Sequence, residues 1–514
     1  MKQFFIFFPI IALILLSSCR DDFELEPSFG ELEFSQDTVY LDTVFTNIAS
    51  STYKVKVYNK SNQDIRIPTI QLNRGEDSNF RLNVDGVAGK RISDINILAR
   101  DSIFVFVEVT ADIEALSQNQ LSFLYTDQIN FDSGSNRQQI ELVTLIQDAH
   151  FLYPERFADG STETLSLGID AEGEEIQIDG FILDDEYLTF TNQKPYVIYG
   201  FAGVPSGRTL NIEAGARIHF HDNSGIIVSN GASMKANGSL SSDTDLLENE
   251  IIFEGDRLEP EFSDVPGQWA AIWLTEGSTG HEFNHVTIKN STVGILMDSN
   301  DGSSDPTLKI KNTQIYNSAN VGLLARTGFI DAENVVINNS GQSSLNLSLG
   351  GQYNFRHCTF TNYWRSGFRQ FPAVLIENNL QVGETLFVSD LDVNFSNCII
   401  YGNESIELLL NESDEAEFNY KFQNTLLRFN DFNNQFADNE LYDFENSDLF
   451  ENVILNETPE FLNTEENQMI IGEDSAANGM GDQTTANLVP FDILGKNRIQ
   501  SPDLGAYQST QFEE

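Results

Sequence analysis

The stretch Phe283-Asn284-His285-Val286-Thr287-Ile288-Lys289-Asn290-Ser291 returns with changed letters through the second half of the chain. IKNTQIYNS begins at Ile310, AENVVINNS at Ala332, FRHCTFTNY at Phe355, FSNCIIYGN at Phe395 and FQNTLLRFN at Phe422. The third position is Asn or His in every copy: His285, Asn312, Asn334, His357, Asn397 and Asn424. The sixth is always a large apolar residue: Ile288, Ile315, Ile337, Phe360, Ile400 and Leu427.

Successive copies start about 22 to 27 residues apart, with one longer step, which is the period of a solenoid that adds one coil per repeat. A second apolar segment follows most copies, as in Val293-Gly294-Ile295-Leu296 and Val321-Gly322-Leu323-Leu324, so each repeat predicts two or three short strands. An Asn held at one turn position has a physical reason. It tolerates the left-handed backbone of a sharp corner, and its amide can hydrogen-bond an identical amide one coil away. Stacked amides and stacked aliphatic side chains close ladders of this kind.

The pattern resembles a right-handed parallel β-helix of the pectate-lyase-like superfamily. Leucine-rich repeats share the period but need a fixed Leu framework that is absent here. The segment Leu210 to Phe220, with Pro266-Gly267-Gln268-Trp269 leading into Ile272-Trp273-Leu274, resembles the opening coils of bacterial β-helix surface proteins. Asp503-Leu504-Gly505-Ala506-Tyr507 resembles the closing segment of many secreted members, which implies a terminal cap. Such a cap would hide the sheet edge that a bare solenoid end exposes.

The beginning of the chain reads as an export signal. Lys2 precedes an apolar run from Phe4 to Leu16 that is too short to span a bilayer. Leu16-Ser17-Ser18-Cys19 resembles the lipobox of bacterial lipoproteins, which implies cleavage before Cys19 and acylation of its thiol. Arg20-Asp21-Asp22-Phe23-Glu24 resembles the acidic tag of surface lipoproteins of the Bacteroidetes group. The expected location is the outer membrane, lipid-anchored and facing outward, since several acyl chains hold firmly where one does not.

The formal net charge of −49 argues against a nucleic-acid partner, because phosphate binding needs clustered Lys and Arg. Of three cysteines, Cys358 and Cys398 share the fourth position of successive phrases and are expected to stack in the solenoid wall as small apolar side chains, with a disulfide in an oxidising compartment as the alternative. Residues 31–148 show period-2 strands, including Tyr53 to Tyr58, Phe80 to Val84 and Ile103 to Val109, separated by turns such as Asp85-Gly86. About seven strands in that length predict a β-sandwich. The region resembles immunoglobulin-like domains of the Hydin type, without the Cys pair and central Trp of antibody domains. The expected organisation is signal 1–18, acidic tether 19–30, sandwich 31–148, connector 149–185, β-helix 186–440, and C-terminal coils with a cap over 441–514. The fold class is all-β.

Three clusters are candidates for chemistry. Trp364, Arg365, Phe368 and Arg369 gather cations and aromatics that could stack on sugar rings and fork onto the carboxylates of an acidic glycan. A loop whose aromatics merely cover the solenoid flank reads as well. Asp298, Asn300, Asp301 and Asp305 gather hard oxygen ligands that could hold calcium, although the EF-hand spacing is absent. Arg217, His219 and His221 alternate with Ile218 and Phe220, so the three polar side chains are expected on one outward face. There they would bind a metal, act as acid and base, or simply be solvated. His285 and His357 read as turn residues.

The expected function is a surface-anchored lipoprotein whose solenoid presents a glycan- or protein-contact face without catalysis. The superfamily resemblance leaves two alternatives. One is an extracellular polysaccharide lyase or glycoside hydrolase, and the other is a purely structural adhesin.

Overall fold

The structure, a computed structural model, describes residues 25–28, 30–117, 120–169, 173–244, 246–298 and 304–512. The signal segment, Cys19, Asn300 and Asp301 lie outside the described residues. The protein is all-β, 49% strand and 6% helical, with many sheets and no closed barrel. It divides into two compact units, one ending at Asp148 and the other beginning at Ala149. Among the described residues no helix is long and apolar enough to cross a membrane.

In the first unit a six-stranded and a five-stranded sheet share one hydrophobic core. Alternation decides which side chains enter it: Val55 and Val57, then Phe80, Leu82 and Val84, then Val105, Val107 and Val109 are all buried, while the residues between them face out. The smaller sheet is antiparallel throughout. The larger one is mixed, with Thr38–Phe45 running parallel to Gln138–Gln147.

The second unit is dominated by two ladders, one of 18 parallel strands and one of 10 in which Thr164–Ile169 pairs antiparallel with Glu175–Ile182 and the other pairs run parallel. Equivalent positions of the repeated phrase stand in register. Phe283 pairs with Ile310, Ile310 with Ala332, Ala332 with Phe355, Phe355 with Phe395, and Phe395 with Phe422. These side chains form one stack in the core, with ring centroids 4.9 Å apart from Phe355 to Phe395 and 4.8 Å from Phe395 to Phe422. The longer step between the phrases at Phe355 and Phe395 is filled by an antiparallel hairpin, Asn379–Val382 with Thr385–Val388. Cys358 and Cys398 are buried as free thiols, and burial pushes the Cys358 thiol up.

Two boundaries differ from expectation. The stretch expected as a connector already supplies strands: His150–Leu152 pairs with Tyr196–Ile198, and Gly180 to Ile182 pair with Phe201 to Gly203. The Asp503–Tyr507 segment does not sit at the end of the stack. Gly505 N donates to Asn397 O and Ala506 N to Thr359 Oγ1, so the segment lies against strands inside the 18-stranded sheet and not at its last strand. Outward-facing Val336, Ile399 and Leu426 are apolar where a solvated face would be polar, and the C-terminal residues Met469, Ile471, Leu504 and Tyr507 cover them.

Candidate functional site

The ten-stranded sheet carries an outward row that is mostly apolar. Ile227, Trp273, Leu296, Leu324, Asn346, Leu375 and Leu409 follow one another across seven strands, each paired with the next. At one end this row floors a groove of about 680 Å³. Ser166 and Leu167 line it from one hairpin and Phe387, half exposed, from the other. Trp273 Nε1 donates to Asp298 Oδ2 at 2.8 Å, and Arg326 Nη1 lies 3.4 Å from Asp298 Oδ1. Asn230, Thr275 and Glu276 complete the polar rim. An indole held in orientation by a carboxylate, beside a guanidinium and an amide, can stack on one face of a sugar ring and hydrogen-bond its hydroxyls.

A larger cleft, about 1110 Å³, lies at the beginning of the same unit and is lined by Tyr153, Arg156, Asp179, Tyr199, His221 and Asp222, among others. His221 Nδ1 is 2.8 Å from Asp256 Oδ2, and the Tyr199 ring packs against the imidazole with centroids 4.5 Å apart. The outward trio expected around it is not a trio. Arg217 is half-buried and donates to the carbonyls of Glu250 and Leu247 at 2.6 and 2.7 Å. His219 is buried 3.7 Å from Glu254 and 3.3 Å from the Gly255 carbonyl. Burial lowers the His219 pKa, with Glu254 opposing. Burial raises the Glu254 carboxyl, but His219 and Lys289, whose Nζ is 2.8 Å away, outweigh it and hold the group below its ordinary range. Only His221 of the three reaches solvent substantially.

The Arg-aromatic segment is likewise split. Arg369 is buried and forks onto Glu407, so it points into the protein and is not presented to a glycan. Arg365 is exposed and pairs with Glu465 at 3.0 Å. Trp364 is half-buried, and Phe368 is 85% exposed. Asp298 accepts from Trp273 on one oxygen and is ion-paired with Arg326 through the other, and Asp305 is exposed. No group of three or more His, Cys, Asp or Glu placed to hold a metal occurs among the described residues.

All six ladder residues have positive φ, from 46° at Asn312 and Asn424 to 56° at Asn397. Asn334 Nδ2 donates to Asn312 Oδ1 at 2.9 Å, and Asn397 Nδ2 to His357 Nε2 at 2.9 Å. Between Asn334 and His357 a side chain from the C-terminal segment intervenes: Arg498, fully buried, donates from Nη2 to Asn334 Oδ1 at 2.9 Å. A second ladder, beyond the one expected from the sequence, occupies the eighth position of the phrase. Asn317 donates to Asn290 at 3.2 Å and Asn339 to Asn317 at 2.6 Å, and both Asn290 and Asn317 have positive φ. Its signal was the recurring Asn-Ser that ends three of the six phrases.

No protein-family model and no curated protein matches the chain. Among solved structures, similarity extends to the ASH/PapD-like domain (PapD-like domain 7) of human CEP192, at 9% identity over 23% of this chain and 85% of that one, with a TM-score of 0.15. A family 123 glycoside hydrolase from Clostridium perfringens is similar at 9% identity over 23% of this chain and 26% of that one, with a TM-score of 0.16. The catalytic domain of a GH87 alpha-1,3-glucanase is similar at 10% identity over 73% of this chain and 80% of that one, with a TM-score of 0.18. At such scores these likenesses establish neither a common fold nor a common activity.

Proposed function

We propose that this chain is a lipid-anchored surface protein of the outer membrane. In this reading an immunoglobulin-like first unit precedes a right-handed parallel β-helix, and the groove around Trp273 holds a glycan without cleaving its glycosidic bonds. The observation that carries the reading is the Trp273–Asp298–Arg326 arrangement on the floor of an open groove. The solenoid assignment is supported by in-register pairing of the repeated phrases and by the left-handed Asn corners. Cys19 and the acidic residues after it supply the anchor and the address.

Cleavage by a base-plus-carboxylate cluster at the Arg-aromatic segment has little support, because Arg369 is consumed by Glu407 inside the fold. The test is affinity electrophoresis of the unlipidated protein through gels carrying acidic or neutral polysaccharides, with and without calcium, alongside assays for reducing ends and unsaturated product. Retardation without product supports the reading. Release of either product would replace it with a lyase or hydrolase, and migration unaffected by every polysaccharide would leave protein contact or a structural role.

A further inference from the structure

The His221 cleft takes no part in the glycan reading, yet it holds the pieces of a proton-transfer site. His221 Nδ1 is hydrogen-bonded to Asp256 Oδ2 at 2.8 Å, an arrangement that fixes the proton on Nδ1 and leaves Nε2 with its lone pair. Nε2 has no hydrogen-bond partner among the described residues. The imidazole lines the cleft with 51% of its side chain exposed, while the Asp256 side chain is only 13% exposed. The orienting carboxylate is therefore sheltered and the base is accessible.

Tyr199 lies against the ring and lines the same cleft. Its own burial, reinforced by the negative charge of Asp256, pushes the phenol up to about 12, so it remains a hydroxyl donor at neutral pH. Arg156 lines the cleft and forms no ion pair among the described residues, although the chain carries a formal charge of −49. The lining includes no Ser, Cys or Lys, and its one Thr, Thr162, is not hydrogen-bonded to His221 among the described residues, so a hydroxyl, thiol or amine nucleophile activated by the imidazole is not built in. What remains is a base that can act on water.

We propose that this cleft is a second site, separate from the Trp273 groove, in which His221 acts as general base in the hydrolysis of an uncharged carboxylic ester. Asp179 and Asp222 also line the cleft and disfavour an anionic ester there. Nε2 takes a proton from water as the water oxygen bonds to the carbonyl carbon, and the carbonyl electron pair moves onto its oxygen. Tyr199 and Arg156 are among the donors lining the cleft, with Gln177 and Asn223, and they could meet that oxyanion. Collapse re-forms the carbonyl and breaks the bond to the alcohol oxygen, which takes the proton back from Nε2. One ester and one water give one acid and one alcohol, and His221 returns to its starting state. Asp256 is a positioning residue, acting through the imidazole.

The experiment is hydrolysis of 4-nitrophenyl acetate and 4-methylumbelliferyl acetate by the full unlipidated chain. The expected result is saturable turnover whose kcat rises with pH through one ionisation, lost by about 100-fold or more in His221→Ala. Asp256→Asn is expected to lower kcat with KM unchanged, and Asp256→Glu to recover part of the loss. If His221→Ala does not fold, His221→Gln must show the same loss. Kinetics that never saturate and run no faster than free imidazole, or wild-type rates in the His221 variant, would overturn the proposal. Glycan binding at Trp273 is scored separately, so its failure would leave this result interpretable.

Discussion

Arg369 and Glu407 form a two-pronged ion pair inside the second unit, with Nη1 to Oε2 at 2.8 Å and Nη2 to Oε1 at 2.7 Å, on side chains 2% and 0% exposed. The Glu407 carboxylate also accepts from the backbone N–H of Ala373 at 2.7 Å and of Glu404 at 2.9 Å. The pair therefore ties the insertion before Ala373 to the next coil. Removing one partner leaves a buried charge alone, which costs about 3–5 kcal/mol. Arg369→Ala should lower stability by that amount in urea unfolding, whereas the double change Arg369→Met with Glu407→Leu should recover most of it.

The Asn corners make a prediction that separates backbone from side chain. Asn312 has φ 46° and its amide donates to Asn284 Oδ1 at 3.0 Å. An Ala there loses this bond and the one accepted from Asn334, and must hold a left-handed conformation, while a Gly loses only the two bonds. Asn312→Gly should therefore be more stable than Asn312→Ala by about 1–2 kcal/mol, the reverse of the order at an ordinary strand position, as read from paired urea midpoints.

His281 supplies the pH dependence. It is fully buried, with Nδ1 3.2 Å from the Met234 N–H and Nε2 3.1 Å from Ser278 Oγ, and burial lowers its pKa to about 4. The unfolded chain binds a proton near the ordinary value of about 6.5 while the folded one does not. Stability is thus full above that value and is lost as pH falls through the window from about 6.5 to 4, by up to about 3 kcal/mol. The difference in unfolding free energy between wild type and His281→Gln, followed across that window, should shrink or reverse toward acid.

Arg498 pins the C-terminal segment to the flank, with Nη1 3.1 Å from the Gly505 carbonyl in addition to its bond to Asn334. Burial lowers its pKa to about 10, against the pull of Asp492 and Asp503, so it stays charged at neutral pH. Arg498→Met should leave the coils folded while speeding amide exchange at Gly505 and Ala506, measured by hydrogen exchange with mass spectrometry. Uniform loss of protection throughout the second unit would contradict this.

The repeats were legible because parallel strands paired in register force the same chemistry onto the same position. His285, Asn312 and Asn334 share a left-handed corner, and Phe355, Phe395 and Phe422 share a core stack, so each recurs as a letter pattern. The sites were not legible in the same way. Trp273, Asp298 and Arg326 lie on or just after three different strands and meet only because those strands pair side by side. Asp256 is 35 residues from the His221 it orients. Arg369 looked available because it stands in a polar aromatic loop, and only the fold shows that Glu407 claims it. His219 alternates correctly with core residues, but a face that points away from the core can still be covered, as it is here.

The most direct test of glycan contact in the groove is titration calorimetry of the unlipidated chain with oligosaccharides of the polysaccharide that retards it most, comparing wild type with Trp273→Ala. Wild type is expected to bind saturably, and binding is expected to weaken by about tenfold or more without the indole, at about 1.4 kcal/mol per decade, with the fold intact by circular dichroism. Unchanged affinity in Trp273→Ala would place the glycan elsewhere and contradict the central claim.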